Sequence, residues 1–153
     1  MELVILIGLQ GAGKSSFYRA RFATSHVLVS KDRLRNNRRP ERRQRQLIEE
    51  ALGAGQSVVV DNTNPTRHDR VQLIELGRQH GATVIGYYFE SRLEDCLRRN
   101  RLRADKERVP DVALFTVAKK LELPSHAEGF DRLYSVRLGG DQQFDAQEWA
   151  DGP

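Results

Sequence analysis

The sequence predicts an α/β fold in which a parallel sheet is covered by helices, and three observations support this. Short apolar runs alternate with helical patterns along most of the 153 residues. The first apolar run, Leu3–Ile7, is unbroken, as is typical of a strand buried on both faces. A glycine-rich loop and a helical pattern follow this run directly, which is the order of a strand–loop–helix unit.

The later elements repeat this alternation. Further strands are predicted at Val27–Val29, Val58–Val60, Thr83–Phe89 and Leu133–Leu138, which gives a mostly parallel sheet of about five strands. Helices are predicted after the glycine loop, over Pro40–Leu52, from an Asn64-Pro65 cap to about Gln79, from a Ser91-x-x-Glu94 capping box to about Ala104, and near Asp111–Leu121. We expect one domain over residues 1–138, with a helical lid at about 98–121, and a polar tail over 139–153.

The composition is that of a globular protein with an anionic partner. No apolar run approaches the ~20 residues that cross a membrane. The first apolar run lacks a basic n-region, so we interpret it as a core strand and not as a signal peptide. The single cysteine, Cys96, excludes an internal disulfide framework and favours a reducing, cytoplasmic location. The net charge of +4 and the excess of 20 Arg over 5 Lys favour forked binding of phosphate groups.

The glycine loop, Gly8-Leu9-Gln10-Gly11-Ala12-Gly13-Lys14-Ser15, fits the pattern G-x-x-x-x-G-K-[ST] of phosphate-binding loops in ATP- and GTP-using proteins. Its glycines let backbone N–H groups surround anionic oxygens at a helix N-terminus. Lys14 is expected to reach the β- and γ-phosphates, and the Ser15 hydroxyl to bind Mg²⁺. A plain glycine turn is the alternative, and the strand and helix beside the loop argue against it. The nucleotide is expected to contact Gly8, Gln10, Gly11, Ala12, Gly13, Lys14, Ser15 and Ser16.

Two further polar segments follow predicted strands, and in a parallel sheet they meet the phosphate loop at the carboxyl edge. In the first, Asp32 stands where a carboxylate could take the proton of an acceptor hydroxyl. Arg35 lies on the same helical side and could hold a phosphate of the acceptor. The alternative interpretation makes Asp32 an N-terminal helix charge. In the second segment, Asp61 ends an apolar strand, like the acidic residue that orders Mg²⁺ in phosphate-loop enzymes.

Two segments rich in arginine complete the pattern. Lys31–Arg45 contains eight basic and two acidic residues, which favours a polyanionic acceptor, although it has no aromatic residue on which bases could stack. Arg99 and Arg103 are four residues apart on a predicted helix, so they share a face that could close over a triphosphate. For both segments the alternative is a solvated basic surface.

Together these residues resemble the kinase domain of polynucleotide 5′-kinases. The resemblance rests on Gly8–Ser15, Ser30-x-Asp32-x-x-Arg35, Asp61-Asn62-Thr63-Asn64-Pro65 with Arg70, Arg99-Asn100-x-x-Arg103, Val109-Pro110 and Glu128-Gly129-Phe130. It implies the kinase type of the P-loop NTPase fold, with ATP and Mg²⁺ as cofactors. It also implies that Asp32 is the general base for a 5′-hydroxyl and that Arg35 binds the 3′-phosphate of the acceptor. By the same resemblance Asp61 orients Arg35, and Arg103, with Arg99 beside it, contacts the ATP phosphates.

The resulting hypothesis is an ATP-dependent kinase that phosphorylates the 5′-hydroxyl of DNA or RNA. Its expected catalytic residues are Lys14, Asp32, Arg35 and Arg103, and its expected acceptor-binding residues are Arg35, Asp61, Asn62, Thr63, Asn64 and Arg70. Whether Asp61 serves Mg²⁺ or orients Arg35 stays open. The alternatives are a kinase for a nucleoside, sugar or nucleotide-sugar, and a non-catalytic ATP-binding module. A requirement for Asp32 separates either kinase from the module, and the Lys31–Arg45 charges separate the two kinases.

Overall fold

The described part of the chain in the computed structural model comprises residues 1–34, 36–105, 108–138 and 143–151. Its strands are Glu2–Ile7 (β1), Val27–Val29 (β2), Val58–Asp61 (β3), Thr83–Phe89 (β4), Arg132–Leu138 (β5) and Phe144–Glu148 (β6). Its α-helices are Lys14–Arg21 (α1), Pro40–Gly53 (α2), Arg67–Gln79 (α3), Leu93–Arg101 (α4) and Asp111–Lys120 (α5), and short 3-10 helices cover Lys31–Leu34 and His126–Glu128. Among these helices, none has the length and apolar character that crossing a membrane requires.

The strands form one sheet in the order β2-β3-β1-β4-β5-β6. The first five are parallel, and β6 runs antiparallel to β5. This confirms the predicted α/β fold with a mostly parallel sheet. The sixth strand is a difference, because Phe144–Glu148 lies in the segment that the sequence indicates as a polar tail. An edge strand needs few apolar residues, so an apolar run does not mark β6.

The alternating side chains of β1 explain why helices cover both faces of the sheet. Leu3, Ile5 and Ile7 are buried in one apolar cluster, with residues of α2 and α3. Val4 and Leu6 are buried in a second cluster, with residues of α1, α4 and α5. Because successive side chains of a strand point to opposite faces, an unbroken apolar run produces two cores, one on each side.

Two helices begin at other residues than the sequence predicts. Helix α3 begins at Arg67, and its cap is Thr66, whose side chain forms a reciprocal capping box with Asp69. Asn64 does not cap α3; it has a positive φ of 45° and lies two residues before the cap. Helix α4 begins at Leu93 without a side-chain cap, since the Ser91 hydroxyl lies 3.1 Å from the Cys96 sulfur.

The lid region is fixed to the core of the protein at its base. Helix α4 ends at Arg101, earlier than predicted, so that Arg103 lies in the turn beyond it and not on the helix face of Arg99. The buried side chain of Asn100 then accepts from the Val109 amide at 3.0 Å and donates to its carbonyl at 2.6 Å. This clamp closes the turn between α4 and α5, and the buried Leu114 holds α5 in the second cluster.

Candidate active site

The phosphate loop has a backbone shape that only glycine allows at two positions. Gly11 has a φ of +84°, and a Cβ there would lie 2.6 Å from the Cys96 carbonyl oxygen. Gly13 has a φ of +98° and is the N-cap of α1. The first N–H groups of a helix lack partners within the helix, so the loop ends at an N-terminus suited to anionic oxygens.

Lys14 is held within this loop. Its ammonium group donates to the carbonyl oxygens of Gly8 at 3.0 Å and Leu9 at 2.9 Å, and the residue is 8% exposed. Burial lowers the pKa of Lys14 from 10.5 to about 8, with Asp61 opposing this shift and Arg103 adding to it. The charge of Asp32 also raises the pKa of Lys14, so both carboxylates are within electrostatic reach of the amine.

Ser15 and Asp61 meet beside Lys14. The Ser15 hydroxyl donates to Asp61 Oδ2 at 2.8 Å, although the two residues are 46 positions apart. Asp61 is the last residue of β3, next to β1 in the sheet, which brings its carboxylate to the start of α1. A hydroxyl and a carboxylate are oxygen ligands of the kind that Mg²⁺ takes from a protein, with water and phosphate completing its six positions. These residues therefore fit Mg²⁺.

A cleft of about 980 Å³ opens beside the loop at the carboxyl edge of the sheet. Twelve of the predicted site residues line it: Gln10, Gly11, Gly13, Lys14, Ser15, Ser16, Asp32, Asp61, Asn62, Thr63, Asn64 and Arg103. Ala12 is instead buried in the second apolar cluster. Arg35, predicted for catalysis and acceptor binding, lies outside the described residues. The cleft thus joins the phosphate loop to the segments after β2 and β3.

Asp32 lines this cleft from the 3-10 helix that follows β2. Its side chain is exposed, and its backbone N–H donates to the Ser30 hydroxyl at 3.3 Å. The adjacent Lys31 N–H donates to Asn62 Oδ1 at 2.9 Å. A reacting hydroxyl in the cleft can therefore contact a carboxylate whose residue is held at its own N–H and at that of Lys31.

Gln44 is a cleft residue that the sequence analysis does not single out. It lies on α2 and is 7% exposed, and its Oε1 accepts from Asn62 Nδ2 at 2.6 Å. Through Asn62 it connects α2 to the segment that carries Asp32. Gln44 is spaced four residues before the buried Ile48, and this spacing on the apolar helix face is the signal that could have identified it.

Thr63 and Asn64 brace the loop against the sheet. The Asn64 side chain donates to the Leu6 carbonyl at 2.8 Å, and the Gly8 N–H donates to the Thr63 carbonyl at 3.0 Å. Both residues line the cleft, yet these groups are already engaged with β1 and the loop. These two bonds fix the position of the phosphate loop relative to β1 and to the segment after β3.

Arg70 does not line the cleft, and its contacts suit a structural role better than the expected acceptor contact. It is completely buried, and its guanidinium forms two hydrogen bonds with Glu128, at 2.8 and 3.2 Å. It also donates to the carbonyls of Asn64, Pro65 and Glu122. Burying an arginine without a paired carboxylate is costly, so this arrangement holds the loop after β3 in place. We therefore leave Arg70 out of the proposed acceptor site.

The two lid arginines have different surroundings. Arg103 lines the cleft and is half-buried. Arg99 donates from Nη1 to the Gly11 carbonyl at 3.1 Å, which connects α4 to the phosphate loop. Of the two, Arg103 is therefore the cation placed to face a bound triphosphate.

Curated proteins similar to this chain include polynucleotide phosphatase/kinases. The chain is 26% identical over 140 residues to the bifunctional polynucleotide phosphatase/kinase of Schizosaccharomyces pombe, an alignment that covers 88% of this chain and 33% of that protein. The chain spans about a third of the length of the curated relatives that it matches. This confirms the resemblance to polynucleotide kinases.

Solved structures of kinases share the fold. A gluconokinase from Sinorhizobium meliloti superposes with a TM-score of 0.61 at 23% identity, covering 89% of this chain and 82% of that one. A fungal RNA kinase superposes with a TM-score of 0.68 at 15% identity, covering 88% of this chain and 38% of that one. At these identities the similarity concerns the fold. A model of the AAA domain matches residues 3–124, and the chain therefore belongs to the AAA domain family.

Proposed function

We propose that this protein transfers the γ-phosphate of ATP to the 5′-hydroxyl of a DNA or RNA strand. The observation that carries the proposal is the single cleft lined by Lys14, Asp61, Asp32 and Arg103. The phosphate loop follows β1 and Asp32 follows β2, and β3 lies between these two strands in the sheet. The similarity to a polynucleotide phosphatase/kinase supports a nucleic acid as the acceptor.

On the nucleotide side, the loop N–H groups and Lys14 bind the phosphates. Lys14 leaves the Gly8 and Leu9 carbonyls for the β- and γ-phosphate oxygens, which keep its amine charged. Ser15 and Asp61 hold Mg²⁺, which neutralises charge on the phosphates when it is bound. Arg103 faces the transferring group from the lid and stabilises the charge that moves toward the leaving oxygen.

On the acceptor side, Asp32 is the general base. Its carboxylate takes the proton of the 5′-hydroxyl while the hydroxyl oxygen bonds to the γ-phosphorus. The bond between that phosphorus and the bridging oxygen breaks, and ADP leaves with its electron pair. Asn62 bonds to Gln44 and accepts from the Lys31 N–H. These bonds fix the position of the Asp32 turn relative to the phosphate loop.

The experiment is transfer of labelled γ-phosphate from ATP to a panel of acceptors, with wild-type protein and Asp32→Asn. The panel contains 5′-hydroxyl oligonucleotides of DNA and of RNA, nucleoside 3′-monophosphates, nucleosides and sugars. We expect label at the 5′ end of oligonucleotides, and its loss in Asp32→Asn. Label in a sugar or nucleoside alone would favour a small-molecule kinase. Binding of ATP without transfer to any acceptor would favour a non-catalytic module.

A further inference from the structure

Helix α2 has two different surfaces. Glu41, Gln44, Arg45 and Ile48 line the cleft, and their spacing places them on one side of the helix. Another side of α2, with the residues just before it, borders an open groove outside the cleft. The residues of this outer arginine groove are Asn37, Arg38, Arg39, Arg42, Arg43 and Gln46. The basic residues of Lys31–Arg45 are therefore divided between the cleft and the outer arginine groove.

The charges of the two surfaces differ. On the cleft side, Lys31 lies 3.5 Å from Glu41, and Arg45 forms a 3.1 Å pair with Glu49. In the outer groove, Arg43 lies 3.9 Å from the exposed Glu50. Among the described residues, no carboxylate lies within ion-pair distance of Arg38, Arg39 or Arg42.

The uncompensated charge is carried by Arg38, Arg39 and Arg42, whose forked guanidinium groups line the same groove. Like charges so close together repel one another, which does not stabilise the folded chain. Arginine in place of lysine favours paired contacts with phosphate oxygens. None of the six lining residues is aromatic, so the groove has no ring on which a base could stack. Its chemistry suits a backbone of phosphates and is indifferent to base sequence.

We propose that the outer arginine groove binds phosphates of the acceptor strand beyond the reacting nucleotide, and so makes the enzyme prefer acceptors of several nucleotides. This inference rests on the proposed function, and it adds a second phosphate site and a minimum acceptor length. DNA and RNA share the phosphodiester chemistry that the groove recognises, so both strands bind there.

The minimum length follows from the size of the helix. A strand that leaves the cleft has to pass the N-terminal end of α2 before it reaches the groove. An α-helix with its side chains is about 10–12 Å across. One strand of a stacked duplex advances by about 3.4 Å per nucleotide, so an acceptor needs roughly three to four nucleotides to reach the groove. Mononucleotides are too short.

The test measures acceptor KM against length and salt for wild-type protein and for Arg38→Ala/Arg42→Ala. The acceptors are a nucleoside 3′-monophosphate and 5′-hydroxyl strands of two, four and eight nucleotides, in DNA and in RNA. For wild type we expect KM to fall sharply between the monophosphate and the four-nucleotide strand. In the double variant, KM for the eight-nucleotide strand is expected to rise about 10-fold. The slope of log KM against log salt concentration should become shallower by about 1.4 for these single strands. KM for the monophosphate does not change.

Two further variants keep the test sharp. Arg38→Lys/Arg42→Lys retains the charge without the fork, so we expect it to restore most of the salt slope and part of the affinity. Arg98→Ala/Arg132→Ala removes two exposed arginines on other elements and serves as the charge-matched control. If this control weakens long acceptors equally, the effect comes from net charge and the groove is not a site.

The outcomes separate this inference from the proposed function. Equal KM and equal salt slopes for monophosphate and oligonucleotides in wild type would overturn the groove, while 5′-kinase activity would still stand. If the double variant raises KM for DNA strands but not for RNA strands, or the reverse, the proposal that the groove recognises only the phosphodiester backbone is overturned. No transfer to any 5′-hydroxyl strand would overturn the proposed function and the groove with it.

Discussion

The proposed nucleotide side of the cleft is built from buried, mutually bonded groups, whereas the proposed base on the acceptor side, Asp32, is exposed. Lys14 and Asp61 are each 8% exposed and are fixed by hydrogen bonds to the loop carbonyls and to Ser15. Asp32 and Arg33 are exposed on a four-residue 3-10 helix that follows a strand of three residues. The first side is shaped before any ligand arrives, and on the second side the backbone N–H groups of Lys31 and Asp32 donate to Asn62 and Ser30.

This difference indicates where each kind of specificity resides. All nucleoside triphosphates have the same phosphates, so a rigid loop between two central strands can bind them with little adjustment. Acceptors differ among kinases, and exposed side chains on short turns can be substituted with little effect on the packing of the core. Substitutions on either side should therefore lower turnover, but those on the acceptor side should leave ATP affinity unchanged.

The largest effect is expected for Lys14→Ala, on the nucleotide side. The variant loses the cation that contacts the transferring phosphate, and we expect turnover to fall by about 10³-fold or more. Phosphate transfer and ATP affinity are the quantities to measure. Lys119→Ala, an exposed lysine on α5, is the control. Unchanged turnover in Lys14→Ala would contradict the assignment of the loop.

Asp32→Asn should produce the next largest effect, on the acceptor side. The amide keeps the shape of the side chain and cannot accept the proton, so turnover should fall by about 10²- to 10⁴-fold while ATP affinity is kept. Turnover measured at saturating ATP, together with ATP affinity measured by calorimetry, separates a loss of proton transfer from a loss of ATP binding. If weaker ATP binding explains the entire loss, Asp32 has a structural role.

The third largest effect is expected for Arg103→Ala, in the lid. Arg103→Ala should lower turnover by about 10²-fold and ATP affinity much less, because its contact strengthens as charge develops on the phosphate. Arg98→Ala is the control, since Arg98 is exposed and pairs only with the half-buried Asp95 among the described residues. An equal loss in kcat and in ATP affinity would show that Arg103 contributes to ground-state binding.

The pH dependence of ATP binding tests the buried state of Lys14. The free protein holds this amine with a pKa of about 8, and phosphate binding favours the charged form. The contribution of Lys14 to ATP affinity should therefore be constant below about pH 7, and the affinity should be about 10-fold weaker at pH 9 than at pH 7. Without ATP, the unfolded chain keeps this proton up to a pH near 10.5, so the contribution of Lys14 to the free energy of unfolding rises between pH 8 and 10.5. Calorimetry in buffers of different ionisation enthalpy should detect proton uptake on binding near pH 8.5, and its absence would contradict the lowered pKa.

The smallest effect is expected for Gln44→Ala, which acts on Asp32 through Asn62. Loss of the 2.6 Å bond to Asn62 should lower kcat several-fold and the unfolding free energy by about 1 kcal/mol. Gln79→Ala, at an exposed glutamine of α3 outside both the cleft and the outer arginine groove, is the matched control. Equal kcat for the two variants would show that Gln44 does not position the base.

The features that sequence predicts well in this chain are local ones. The glycines, lysine and serine of the phosphate loop are within eight residues, and their conformations follow from neighbouring atoms. The strand–helix alternation likewise predicts the parallel sheet, because buried strands require continuous apolar runs.

The features that sequence misses depend on distant partners. Arg70 belongs to a motif next to the site, but its pairing with Glu128, 58 residues away, removes it from the cleft. Thr66 and Asn64 can both cap a helix, and the bond from Asn64 to Leu6 decides between them. Gln44 acquires a partner only when α2 packs beside β3. No spacing rule contains these contacts.

The two edges of the sheet also affect how this protein behaves at high concentration. One edge is β2, which has only three residues, and the other is β6, which presents Asp145 and Glu148 on exposed positions. Short or charged edge strands are poor templates for strands of another molecule. The apolar strands β1, β3 and β4 lie between neighbours that already use their backbone groups. Aggregation by edge-to-edge pairing is therefore disfavoured as long as β5 keeps β6 as its neighbour.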